Sequence, residues 1–396
     1  MSYFHSGEKK DCCGCEACKQ ICPKGAIIMK PDFEGFLYPQ IVEAKCINCN
    51  LCRKVCPISN KVDNQMLDER KVFSIHTNDE ELLDKSSSGG AFTIITEAFC
   101  DKDYVIFGAR YDEKFNVYHD YIENIEEIYK FRKSKYVQSN LNNSYKEVLR
   151  FLKEDKKVIF SGTPCQIAGL KKFLRKEYEN LLCIDIVCHG VPSKKVWNKY
   201  LEYIESKYNS KINNINFRHK VKQYGIYNSR NIKILLENGK RIIEDSRKNL
   251  YLRGFHNKLF YRHSCTSCKF SNPTRYADIT IADCWGIENI DSTIDVHRGE
   301  SMVVINTQKG MDIWNKINQS SNISKLELDL EFAIKSNEQF REATKVHKNR
   351  DDFYKNLDST AFNKNIKSSL PETFKSKVKR MIPNKIKVQI KNILNY

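Results

Sequence analysis

Two stretches decide the reading of this chain: Cys12-Cys13-Gly14-Cys15-Glu16-Ala17-Cys18-Lys19-Gln20-Ile21-Cys22-Pro23 and Cys46-Ile47-Asn48-Cys49-Asn50-Leu51-Cys52-Arg53-Lys54-Val55-Cys56-Pro57. Both read C-x2-C-x2-C-x3-C-P. By this spacing a chain wraps a cubane [4Fe–4S] cluster. Three thiolates on one tight loop reach three irons, and the fourth cysteine reaches across to the other cluster. One cluster is therefore expected on Cys12, Cys15, Cys18 and Cys56, and the other on Cys46, Cys49, Cys52 and Cys22. Structural zinc uses two ligands per knuckle, not four with a following proline. Disulfides need an oxidising compartment, and the chain begins with no apolar signal segment. Cys13 falls outside the spacing and reads as a spectator thiol.

The two combs resemble the bacterial two-cluster ferredoxins over about residues 8–60. Between them, Ala26–Met29 and Phe36–Tyr38 read as short strands around a turn at Asp32 to Gly35. Apolar shielding and hydrogen bonds to sulfur set the reduction potential of such clusters.

The ferredoxin-like part uses only the first sixty or so of 396 residues. What remains is enough for one large or two medium domains with a real core. No run of eighteen apolar residues exists, so no spanning helix is expected. Sixteen cysteines without a signal segment point to a reducing cytoplasm and to metal. The net charge is +17 and unevenly spread. From Lys367 to Tyr396 eight basic residues face Glu372 alone. There Val378, Ile382, Ile386, Ile390 and Ile393 fall on one helical face, with Pro383 splitting the helix. A basic amphipathic tail of this kind suits peripheral contact with an anionic membrane. Aromatic stacking partners are sparse there, which argues against nucleic acid.

After a linker at residues 61–71, Val72–His76 reads as a strand. Ser87-Ser88-Gly89-Gly90 precede an apolar helix at Ala91–Phe99. Small residues at a helix start cap it, or free backbone N–H groups for a cofactor phosphate. Tyr104–Ala109 and Val117–Ile122 are strands, and a helix covers Asn143–Lys153. Lys157–Gly162, Thr163, Pro164 and a helix through Leu174 form the βα unit of a mainly parallel sheet. Cys165 stands at that strand's carboxyl end, where ligands gather in such sheets, and Leu181–Cys188 repeats the design. Cys183 lies mid-strand and reads as core. Further strands are expected at Ile212–Phe217, Ile232–Leu236, Arg241–Ile243 and Met302–Asn306. Helices are expected at Leu250–Phe260 and Gly310–Gln319.

The order of Ser87-Ser88-Gly89-Gly90, Gly162-Thr163-Pro164-Cys165-Gln166, Val187-Cys188-His189-Gly190, Cys265-x2-Cys268 and Ala277-Asp278-Ile279 to Gly286 resembles one family. It is the coenzyme F420 hydrogenase/dehydrogenase beta-subunit family, in its version with a fused N-terminal ferredoxin. The resemblance covers about residues 70–305. It implies an iron–sulfur flavoprotein that passes electrons between clusters and a flavin, FAD. It also implies a third [4Fe–4S] cluster on Cys165, Cys188, Cys265 and Cys268. Soft thiolate fours select iron–sulfur or zinc, so zinc at Cys265 and Cys268 is the rival reading. Cys284 is a rival ligand. Ser87, Ser88, Gly89, Gly90, Gly162 and Thr163 are the candidates to approach the flavin, because small residues let backbone come close. His189 is a candidate hydrogen-bond donor to cluster or flavin, and Asp283 a candidate polar contact.

The expected fold is α+β to α/β: a bacterial-type dicluster ferredoxin at 1–60, then a large mixed α/β domain in two regions, 72–155 and 156–335, then a basic helical tail at 336–396. The expected function is a cytoplasmic oxidoreductase between a redox donor or acceptor protein and a small organic substrate. The alternative is a non-catalytic electron-transfer subunit or accessory protein, with surface-polysaccharide biosynthesis as one setting.

Overall fold

The computed structural model describes residues 3–60, 62, 66–223 and 226–371. The amphipathic tail expected beyond residue 371 lies outside them, and so does its membrane contact. Among the described residues the strands, in chain order, are β1 (Ile27–Pro31), β2 (Leu37–Ile41), β3 (Lys71–Thr77), β4 (Tyr104–Tyr111), β5 (Val117–Ile122), β6 (Lys157–Gly162), β7 (Leu181–Ile186), β8 (Ile212–Gln223), β9 (Ile226–Leu236), β10 (Arg241–Asp245), β11 (Ile279–Asp283), β12 (Ser301–Ile305) and β13 (Ile323–Leu328). No described helix is long and apolar enough to cross a membrane.

The described residues divide into two compact units, one within 1–195 and 261–345, the other within 196–260 and 346–371. In the first, an eight-stranded sheet runs in the order β13-β3-β12-β11-β7-β6-β4-β5. Strands β4, β6, β7 and β11 are parallel, while β12, β3, β13 and β5 each run antiparallel to a neighbour. The central strands are apolar on both sides because both faces are covered. One face carries Ile106, Ile159, Leu182 and Ile184 against the helices α1 (Ala91–Phe99) and α2 (Gln308–Asn318). Val105, Phe107, Val158, Phe160 and Cys183 point the other way, as alternation along a strand requires. They meet the helices Ser144–Lys153 and Pro164–Leu174, and also Cys13, Cys15, Ala17, Val55 and Ile58 of the cysteine combs. The N-terminal sixty residues therefore share a core with the sheet. Fully burying one such side chain stabilises by roughly 1.5–3 kcal/mol.

The two expected regions, 72–155 and 156–335, contribute to one sheet, since β4 pairs directly with β6. The expected linker at 61–71 packs on this unit where it is described. Val62 is buried, the Leu67 N–H bonds the Asn306 carbonyl at 2.8 Å, and Arg70 bonds the Pro273 carbonyl at 2.6 Å.

In the N-terminal part, β1 and β2 form the expected hairpin. Asp32 closes its turn by accepting from the N–H groups of Glu34 and Phe36, each at 3.0 Å. The second unit holds the sheet β10-β9-β8 and an aromatic cluster of Trp197, Tyr200, Phe217, Tyr251 and Phe260. Its hairpin is longer than expected, for the polar stretch from Arg218 to Arg230 carries no apolar alternation and is broken by register shifts. The helix expected through Phe260 ends at His256. The chain turns back there so tightly that a Cβ on Gly254 would lie 2.0 Å from the Phe260 ring.

Candidate functional site

The two combs fold alike. Gly14 and Asn48, at matching positions, have φ of 72° and 54°, and Glu16 and Asn50 have 55° and 59°. Paired left-handed residues bend each loop around its thiols, a conformation glycine and asparagine adopt at least cost. The Cys56 thiol lies in electrostatic range of Cys12, Cys15 and Cys18. Cys52 is in range of Cys49 and Cys22, and an open pocket is lined by Cys22, Cys46, Cys49 and Cys52. Each fourth cysteine thus stands with the opposite comb. Backbone donors already reach sulfur, as in the Ala26 N–H to Cys22 Sγ bond of 3.2 Å.

The two sets differ in surroundings. Cys15 is buried, and Cys12 and Cys18 are half-buried against the sheet's core. Cys49 is exposed beside Ile47, which is 57% exposed. Among the described residues no three His, Cys, Asp or Glu side chains converge closely enough to hold a single metal ion. Burial pushes the Cys12 and Cys18 thiols up from their ordinary range, against the pull of Arg262 on Cys12. Such thiols ionise when a cationic metal centre compensates, so the donor set fits a thiolate-ligated cluster.

The sheet's carboxyl edge brings together Cys165, Cys188, Cys265 and Cys268. Cys165 follows β6 at the start of the helix Pro164–Leu174, which Thr163 and Gln166 cap reciprocally. Cys188 follows β7, Cys265 lies within the turn His263–Ser267, and Cys268 ends it. Cys265 is in electrostatic range of the other three. Desolvation pushes Cys188 up to about 12 and raises Cys265 and Cys268. The Thr163 hydroxyl lies 3.2 Å from Cys165 Sγ. Gly190, at φ 126°, leaves room for the Tyr261 ring, which a Cβ would meet at 2.4 Å.

The buried Cys13 thiol lies close to those of Cys15 and Cys165, between the first comb and the sheet-edge thiols. Spacing alone could not single it out. Cys284 lies elsewhere, in contact with Ser74 and near Glu300 in the core of β3, β11 and β12. It is not in the group of four, and its reading as a rival ligand is corrected accordingly.

Small residues at the expected flavin position serve the sheet in part. A Cβ on Gly89 would sit 2.2 Å from the Ile75 carbonyl, and its N–H bonds Ser301 Oγ at 2.8 Å. Ser88 Oγ donates to the Glu300 carbonyl at 2.5 Å, and Ser87 Oγ accepts from the Ser134 N–H at 2.8 Å. Gly90, at φ 93°, begins α1. Gly162 and Thr163 sit at the same edge, beside the capping Gln166. Near Ser134, Lys135 is held near a pKa of about 7 by burial and by Arg110. The His189 side chain is exposed, and its carbonyl accepts from Thr344 at 2.8 Å. Asp283 ends β11 opposite Ser301.

Residues 155–330 match the family model that describes the C terminus of the coenzyme F420 hydrogenase/dehydrogenase beta subunit. Residues 11–60 match that of the 4Fe-4S dicluster domain. No curated protein matches the chain. A similar solved structure is that of the F420-reducing [NiFe] hydrogenase complex from Methanosarcina barkeri, studied as a xenon derivative. It is 18% identical, with 78% of this chain and 93% of that chain covered, at a TM-score of 0.45. The chain thus carries a 4Fe-4S dicluster domain over residues 11–60, followed over residues 155–330 by a region similar to the C terminus of the coenzyme F420 hydrogenase/dehydrogenase beta subunit.

Proposed function

We propose that the protein is an oxidoreductase carrying electrons from a redox protein through its two ferredoxin-type clusters and a third [4Fe–4S] cluster to FAD and a small organic substrate. The observation that carries this reading is the meeting of Cys165, Cys188, Cys265 and Cys268, with Cys13 close to both Cys165 and Cys15. A chain of centres needs such adjacency, because the protein's part is to hold and orient them. Cys165, Cys188, Cys265 and Cys268 would hold the third cluster, which supplies one-electron steps. Gly90, Gly162 and Thr163 are the small residues left to approach a flavin, since polar groups of Ser87, Ser88 and Gly89 already bond the protein.

Electrons enter at the exposed cluster. Cys49 and Ile47 reach the surface there, and Lys24 and Arg53 line the same opening, a setting that suits an acidic redox partner. The second reading is a pure relay that wires a partner enzyme. The internal bonding of Ser88 and Gly89 favours it, for that leaves less free backbone to grip a cofactor phosphate.

Iron, sulfide and flavin content of anaerobically purified protein decides between them. About twelve irons and one flavin per chain support the enzyme, at four irons per cubane. About twelve irons without flavin support the relay, and about eight irons remove the third cluster.

A further inference from the structure

Arg262 is fully buried, yet among the described residues no carboxylate forms an ion pair with it. A buried guanidinium needs a counter-charge, since an unpaired one is costly. Its donors go to the first comb: Nε to the Cys12 carbonyl at 2.7 Å, and Nη2 to Cys12 Sγ at 3.4 Å and to the Leu37 carbonyl at 2.9 Å. Nη1 donates to Gln138 Oε1 at 3.1 Å, and Gln138 Nε2 donates in turn to the Cys13 carbonyl at 3.1 Å. The guanidinium also lies 4.3 Å from the centre of the Tyr38 ring. Gly14 gives all this room, for a Cβ there would fall 2.5 Å from Gln138 Nε2 and 3.0 Å from Arg262 Nη1.

The main chain of the same residue belongs to the other thiol group. Its N–H bonds the Val191 carbonyl at 3.0 Å, three residues past Cys188, and its carbonyl accepts from the Cys265 N–H at 3.0 Å. One residue therefore holds Cys12 by its side chain and Cys265 by its backbone.

We propose that Arg262 is the positioning residue between the buried ferredoxin cluster and the sheet-edge centre, and that its fixed charge raises the reduction potential of the first cluster. A cluster on four thiolates is the anion this guanidinium lacks among the described carboxylates, none of which forms an ion pair with it. Placed beside it, the positive charge stabilises the reduced, more negative form. The link to a second redox centre rests on the third-cluster reading, whereas the effect on the first cluster does not.

The test is an EPR-monitored redox titration of the full-length protein as wild type, Arg262→Gln, Arg262→Lys and Gln138→Glu. Arg262→Gln lowers the ratio of reduced to oxidised first cluster at least tenfold at a fixed poise, about 59 mV for a one-electron couple. Arg262→Lys restores at least half of that shift, because it keeps the charge. The exposed cluster serves as internal reference and moves less than threefold. A first-cluster potential unchanged in Arg262→Gln of full wild-type iron content overturns the proposal. If that variant does not retain its iron, Gln138→Glu decides: a carboxylate set against Nη1 lowers the potential in the same direction, and no shift in the folded variant overturns it. A wild-type iron content of about eight would instead remove the third cluster and leave the expected first-cluster shift standing.

Discussion

Gly169 lies directly against Cys15: a Cβ built on Gly169 would stand 2.9 Å from the Cys15 Cβ and 3.0 Å from its Sγ. The helix Pro164–Leu174, which starts at Cys165, touches the first comb at this point. Replacing Gly169 with Ala favours a helix by roughly 1 kcal/mol, but the contact is with a cysteine fixed by its loop, and overpacking costs about 1–3 kcal/mol. Crowding wins for any larger residue. Gly169→Val is expected to lose the first cluster, seen as a fall of about four irons per chain while the exposed cluster's EPR signal persists.

Cys49 is exposed and the first comb is packed against the sheet. Solvent reaches one cluster far more easily than the other. In air the signal of the cluster on Cys22, Cys46, Cys49 and Cys52 should decay first. Cys49→Ser should abolish that signal and spare the buried one, as EPR of each reduced variant would register.

The thiols of Cys265 and Cys268 share one short turn. The double variant Cys265→Ser/Cys268→Ser is expected to lower iron from about twelve to about eight per chain, with both ferredoxin signals retained. Unchanged iron would show that these thiols hold no cluster.

His119 is buried with its ring stacked on Phe160, and Nε2 lies 3.0 Å from the Ser161 carbonyl. Its Nδ1 has no partner, and desolvation lowers its pKa from 6.5 to about 4. Between these values the unfolded chain binds the proton and the folded one does not. Stability is therefore highest above about pH 6.5 and falls as pH drops toward 4, by up to roughly 3 kcal/mol. Urea melts at pH 7 and pH 5 should show the loss, and His119→Gln should flatten that part of the pH dependence.

The residues differ in how far they could be read before folding. The doubled C-x2-C-x2-C-x3-C-P spacing, the turn at Asp32 and the βα unit ending at Cys165 are local patterns, and local bonding realises them. The helix Lys194–Tyr208 was equally legible in Val196, Trp197, Tyr200, Leu201 and Ile204 at helical spacing, though it was not among the expected elements. The long hairpin of β8 and β9 was not legible, because its middle is polar and irregular.

By itself the sequence determined which thiols share a loop, because ligand spacing is a property of a few consecutive residues. It also marked the strand ends at Cys165 and Cys188, since apolar runs and tight turns are local. The spacing also paired Cys56 with the first comb and Cys22 with the second, whereas only the tertiary structure decided that Cys13 lies close to both Cys15 and Cys165 and that Cys284 stands apart. It alone set Arg262 against Cys12, 250 residues away in the chain. The physical reason is the same throughout. Burial and the side on which each Cβ emerges depend on what the sheet packs against, and no window of neighbouring residues carries that information.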